Sequence, residues 1–99
     1  MALNGTYKTI SESQFGKTEA IFHFKTEGNV LTGTNEVMGQ TLTIQDGKID
    51  GNSFEFKEKM DSPMGATEFT FKGTFDGDNI SGNIITQMGT TPFKGSRIG

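Results

Sequence analysis

Along most of this chain apolar and polar residues alternate with period two. No apolar stripe recurs at the i, i+3, i+4, i+7 spacing of an amphipathic helix. "TEAIFHFK" (residues 18–25) sends Ala20, Phe22 and Phe24 to one face. "SFEFKEKM" (53–60) does the same with Phe54, Phe56, Glu58 and Met60, and "TEFTFKGTF" (67–75) with Phe69, Phe71, Gly73 and Phe75. "LTIQDGKI" (42–49) starts with Leu42 and Ile44, then slips at Asp46–Gly47 before Ile49, the mark of a β-bulge. These segments predict short antiparallel strands, and the class is all-β.

Two turn motifs alternate between the strands. "FGKT", "MGQT", "MGAT" and "MGTT" open at Phe15, Met38, Met64 and Met88, spaced 23, 26 and 24 residues apart. "EGN", "DGN" and "DGD" place Gly28, Gly51 and Gly77 each 13 residues after the residue that opens the preceding copy. An acidic residue followed by Gly and Asn or Asp is hairpin-turn chemistry, because these residues tolerate positive φ. Turns of one type must then gather at one end of an up-and-down sheet and turns of the other at the opposite end. The chain ends continue the pattern. "FKGS" (93–96) matches "FKGT" (71–74), and "LNGTY" (3–7) matches "LTGTN" (31–35) and "ISGNI" (80–84). The last repeat thus begins at the C-terminus and finishes at the N-terminus. This predicts a single domain over residues 1–99: an eight-stranded antiparallel up-and-down (meander) barrel, closed by pairing of strands 1 and 8, with no free edge.

Composition narrows the partners. Ninety-nine residues with a net charge of −3 and no basic run argue against nucleic acid and against an anionic membrane surface. There is no cysteine, so no disulfide and no thiolate metal site, which suits a reducing compartment. "MALNGTYK" has no apolar stretch of signal-peptide length. No run is long enough for a transmembrane helix. The expected location is cytoplasmic.

"GTY" (5–7) resembles the Gly-x-Trp that opens the first strand of calycins, the lipocalin, fatty-acid-binding and avidin barrels. "LTGT" (31–34) resembles the matching stretch of avidin-like proteins, and Arg97 resembles the basic residue that calycins pack across that Trp. Tyr7 stands in place of the Trp, and with no tryptophan in the chain the avidin biotin box is not carried over. The resemblance implies a small bacterial calycin-like barrel, shallower than a lipocalin. It places Tyr7 and Arg97 together at the closure.

An eight-stranded barrel is either filled by side chains or holds one small ligand. Phe24, Leu31, Ile49, Phe54, Phe75 and Ile80 should plug the acidic-Gly-Asn end, with Gly5, Gly33, Gly73, Gly82 and Gly95 making room at mid-height. Toward the Met-Gly turns the inward parity gives Thr9, Ser11, Asn35, Glu58 and Thr86, a polar lining for so small a barrel. An unpaired buried carboxylate is costly, so Glu58 needs water, a cation or a raised pKa. The lining fits either a wet mouth that orients a ligand or a solvated end without one. Phe15, Met38, Met64 and Met88 ring this end as lid, ligand lip or dimer contact.

His23, the only histidine, alternates outward and has no second His or Cys, so no metal site is expected. "DGDN" (76–79) lacks the spacing and glutamate of a calcium loop. No Walker spacing and no Ser-His-Asp or Cys-His set can be assembled, and no cofactor is expected. Glu58 with Asn35 is the one candidate acid/base pair. The expected function is a binding module taking a small, partly apolar ligand. The alternatives are a filled-core interaction module that self-associates, and a small-barrel isomerase or cyclase using Glu58.

Overall fold

The computed structural model describes residues 3–13, 16–37, 39–62, 65–87 and 89–99. Among them run nine strands: β1 (Gly5–Ser13), β2 (Gly16–Glu27), β3 (Val30–Val37), β4 (Gln40–Thr43), β5 (Gln45–Asp50), β6 (Ser53–Ser62), β7 (Gly65–Asp76), β8 (Asn79–Thr86) and β9 (Gly89–Arg97). Neighbouring strands pair antiparallel, with β4 and β5 both pairing with β3, and β1 pairs with β2 on one side and β9 on the other. Tyr7 lies opposite Phe22 across one ladder and Arg97 across the other. The β2–β3 ladder completes the ring, and the result is a closed eight-stranded antiparallel meander barrel. β4 and β5 share the fourth position. Between them Ile44 turns its side chain into the core and donates its N–H to the Gly33 carbonyl at 3.0 Å. The bulge falls where the alternation slips: Asp46 has φ 52°, and the β5–β6 register shifts between Gln45 and Lys48. Among the described residues no helix is long and apolar enough to cross a membrane.

The acidic-Gly-Asn turns share one geometry, with φ of 59°, 63° and 62° at Gly28, Gly51 and Gly77. The residues that follow, Asn29, Asn52 and Asp78, do not have positive φ. Positive φ at the first central position alone marks type II′, which matches the right-handed twist of the flanking strands. Glycine carries the turn, and the Asn or Asp contributes no left-handed residue. Gly33 answers a different need. Its φ is 146°, and a Cβ there would strike the His23 carbonyl oxygen across the ladder. Backbones come that close because eight short strands must coil strongly to close.

The alternation sorts the side chains as expected. Phe22, Phe24, Phe54, Phe56, Phe71 and Phe93 are all buried. Phe56 and Phe71, paired across β6 and β7, stack at 4.7 Å between centroids and 12° between planes, and Phe22 meets each edge-on at 5.7 Å. The acidic-Gly-Asn end is plugged by Leu31, Ile49 and Ile80, with Phe75 partly buried. Leu3 completes the plug at 0% exposure. It holds the same place in its repeat as Leu31 and Ile80, and its neighbour Asn4 pins it there: Asn4 Oδ1 accepts from the Thr26 N–H at 2.7 Å and its hydroxyl at 3.1 Å. At the seam Arg97 Nη2 donates to the Tyr7 hydroxyl at 3.0 Å, with the guanidinium carbon 5.4 Å from the ring centroid.

The opposite end is looser. The β6–β7 ladder runs on to Ser62 opposite Gly65, whereas β8 joins β7 only from Thr70. β4 stands at the end of the hydrogen-bonded order with β3 as its neighbour, and the described ladder of β5 on β6 reaches only Lys57. Beyond the aromatic layer the wall therefore spreads. Truncating Phe56 or Phe71 to Ala should cost about 3–5 kcal/mol, most of the stability of a domain this small. Urea unfolding measures it, and an unchanged midpoint in Phe71→Ala would contradict the stacked core.

Candidate functional site

Above the Phe22, Phe56 and Phe71 layer, one inward step along each strand changes the chemistry. Phe54 and Phe56 are followed on the same face by Glu58, and Asn35 stands opposite Phe22 on the β2–β3 ladder. Both are buried, Glu58 at 1% exposure and Asn35 at 3%. Asn35 Nδ2 donates to Glu58 Oε1 at 2.9 Å. The second carboxylate oxygen, Glu58 Oε2, and the Asn35 amide oxygen, Oδ1, are buried and have no hydrogen-bond partner among the described residues. Thr9 is also buried, and its hydroxyl donates to the Ala20 carbonyl at 3.4 Å.

These groups face a cavity of about 260 Å³. Its polar wall includes Thr9, Ser11, Asn35, Glu58 and Thr86, so all five residues read from the alternation share one space. The Thr86 hydroxyl donates to the Gly89 carbonyl at 3.3 Å, within the β8–β9 hairpin. The rest of the wall is largely apolar, with Phe22, Phe69, Phe71 and Phe93 as its aromatic part. No Lys, Arg or His lines the cavity among the described residues. Phe15, Met38, Met64 and Met88, expected to ring this mouth, lie outside the described residues.

Burial in this apolar setting pushes the Glu58 carboxyl up from its ordinary 4.5 to about 7, with the Asn35 hydrogen bond pulling partly the other way. Near neutral pH both protonation states are populated, and the group can accept a proton or give one up.

Among the described residues no group of three His, Cys, Asp or Glu is placed to hold a metal ion. The register does assemble one set that alternation alone left apart. Thr6 pairs with His23 across β1–β2, His23 with Thr34 across β2–β3, and Glu36 lies one step along the outer face. Thr6 Oγ1 lies 3.1 Å from His23 Nδ1, and His23 Nε2 lies 3.2 Å from Glu36 Oε1. With the proton on Nε2, the hydroxyl donates to the ring and the ring to the carboxylate, in the order of a hydrolytic relay. The His23 and Glu36 side chains are 46% and 55% exposed on a convex strand face, where water competes for every contact. Chemistry of that kind needs a dry, shaped site, so the set reads as cross-strand support.

Fold and site together define a small closed eight-stranded antiparallel β-barrel with, at one end, a largely apolar cavity that carries a few polar groups. No protein-family model, curated protein or solved structure matches the chain.

Folding favours the protonated form of Glu58, because its carboxyl ionises at a higher pH in the fold than in the unfolded chain. The contribution, about 3 kcal/mol at 1.36 kcal/mol per pH unit, is fully present below pH 4.5 and is lost as the pH rises to about 7. Glu58→Gln keeps the shape, cannot ionise and supplies an N–H where Oε2 has no partner. The variant should match the wild type near pH 4.5 and exceed it by about 1–3 kcal/mol at pH 8. Urea unfolding of both proteins at the two pH values is the measurement.

Proposed function

We propose that the protein is a small-molecule binding module, calycin-like in build, that takes one small, partly apolar ligand into the cavity bearing Glu58 and Asn35. The observation that carries this reading is the buried pair with two acceptor oxygens, unpartnered among the described residues, facing an aromatic-walled cavity open at the mouth. A filled-core interaction module needs no such space and gains nothing from a carboxylate kept away from any cation. Binding sites recurrently combine apolar walls with a few convergent polar groups, and barrel mouths are a common place for them. At ~30 Å³ per water-sized volume, about 260 Å³ admits a ligand of roughly ten non-hydrogen atoms. The Tyr7–Arg97 contact at the closed end supports the calycin comparison, with Tyr in place of Trp. A cysteine-free chain suits a reducing compartment such as the cytoplasm.

Backbone-amide NMR tests this with benzyl alcohol and benzylamine, probes of matching size. At least one of them should shift the amides of Thr9, Ala20 and Asn35 with a Kd of about 1 mM or tighter. Ala20→Phe, which places a ring in the cavity, should abolish the shifts. Shifts confined to the outer barrel face, or unaffected by Ala20→Phe, would remove the reading.

A further inference from the structure

We infer that the ligand of this cavity is a protonated primary amine with one short apolar arm, its ammonium group held jointly by Glu58 and Asn35. The inference rests on the binding reading above and names the chemical class it takes.

Donor and acceptor arithmetic carries it. Glu58 Oε2 and Asn35 Oδ1 are acceptors, both buried and both without a partner among the described residues. Of the donors on these walls, one Asn35 Nδ2 N–H goes to Glu58 Oε1 and the Thr9 hydroxyl goes to the Ala20 carbonyl. An ammonium group brings three N–H donors and no acceptor. Two of them satisfy Oε2 and Oδ1, and the third is left for water or a hydroxyl toward the mouth. A carboxylate or phosphate ligand would set acceptors against acceptors, with no Lys, Arg or His in the described lining to offset its charge.

Charge and shape separate the ammonium from its nearest rivals. A neutral alcohol supplies one donor for two acceptors and leaves the carboxylate without a countercharge. Calcium asks for six to eight oxygen ligands, and the described wall offers a single carboxylate among Phe22, Phe69, Phe71 and Phe93. The same rings suit an organic cation, because an aromatic face attracts positive charge and an apolar arm fills the space between them. The fold itself bears the cost of desolvating Glu58, so the ammonium meets a carboxylate already stripped of water.

Binding should also move a proton. With the carboxyl at about 7, part of the population is protonated near neutral pH, and only the ionised form pairs with an ammonium. Among the described residues no other titratable side chain lines the cavity with Glu58: the lining from β1, β2, β3, β4, β7, β8 and β9 consists of Thr, Ser, Ala, Val, Leu, Ile, Asn and Phe, and β6 adds only Met60. Below pH 7 the amine affinity should fall about tenfold per pH unit, and above it should level off.

Benzylamine, benzyl alcohol, benzoate and ammonium chloride, titrated against the full chain by backbone-amide NMR at pH 6 and pH 8, decide the matter. At pH 8 benzylamine should bind at least about tenfold tighter than benzyl alcohol, with benzoate and ammonium ion silent, and its affinity should drop about tenfold at pH 6. Glu58→Gln, with its folded state confirmed by its own amide spectrum, should lose this preference for benzylamine. Benzyl alcohol binding as tightly as benzylamine to the wild type would overturn the ammonium class while leaving the binding reading in place. Ammonium chloride displacing benzylamine at equal concentration would overturn the apolar arm and point to an inorganic cation site. Benzylamine held equally well by Glu58→Gln would overturn the role of the carboxylate. Silence from every probe would overturn the inference together with the binding reading.

Discussion

The hydrogen-bonded seam between β1 and β9 is the constraint on which the rest of this structure depends. Without it the sheet would have two open edges and no enclosed side. With it, one face of every strand becomes interior, and the eight-strand circumference leaves width for roughly one layer of rings. Phe22, Phe56 and Phe71 fill that width by stacking and edge contact. The seam is held at its closed end by the Arg97–Tyr7 hydrogen bond and by backbone bonds of the last residues to Thr6, whose N–H donates to the Gly99 carbonyl at 3.0 Å.

The aromatic layer in turn sets the chemistry above it. Its buried, mutually packed rings form an apolar floor, so a carboxylate one step higher is desolvated from below. Among the described residues Glu58 has a single hydrogen bond there, from Asn35, and its ionisation is displaced toward neutrality. A core optimised only for stability would place an apolar residue at this point, since a buried carboxylate without a cation is a net cost. Breaks in the otherwise consistent pattern of a sequence concentrate where function demands them. The divergence of the ladders at this end, with the β6–β7 hairpin running past β8, gives the same position its space.

Much of this was legible in the one-dimensional chain because alternation and turn chemistry are local. Phe54, Phe56 and Glu58 must share a face whatever the rest of the chain does, and the spacing of the two turn motifs counts the hairpins. The matching ends, 3–7 against 31–35 and 93–96 against 71–74, carried the closure, and the same match places Leu3 with the buried Leu31 and Ile80. Leu3 precedes the first strand, so strand alternation does not reach it; the repeat alone marks it, and the Asn4–Thr26 bonds hold it in place.

Other features depend on how strands meet, which no single strand encodes. The turn glycines adopt type II′ geometry because it suits the twist of the paired strands, whereas the residues alone allow either primed turn. Thr6, His23 and Glu36 come together only through the registers of two ladders. The 2.9 Å bond between Asn35 and Glu58 joins residues 23 positions apart on strands that are not neighbours, across the interior of the barrel. The sequence by itself determined the all-β class, the hairpin count, the inward parity and the polar character of one end, since each follows from local periodicity. Tertiary structure alone decided the volume of the cavity, the pairing of its amide and carboxyl groups and the oxygens left without partners among the described residues, because those depend on distances across a closed interior.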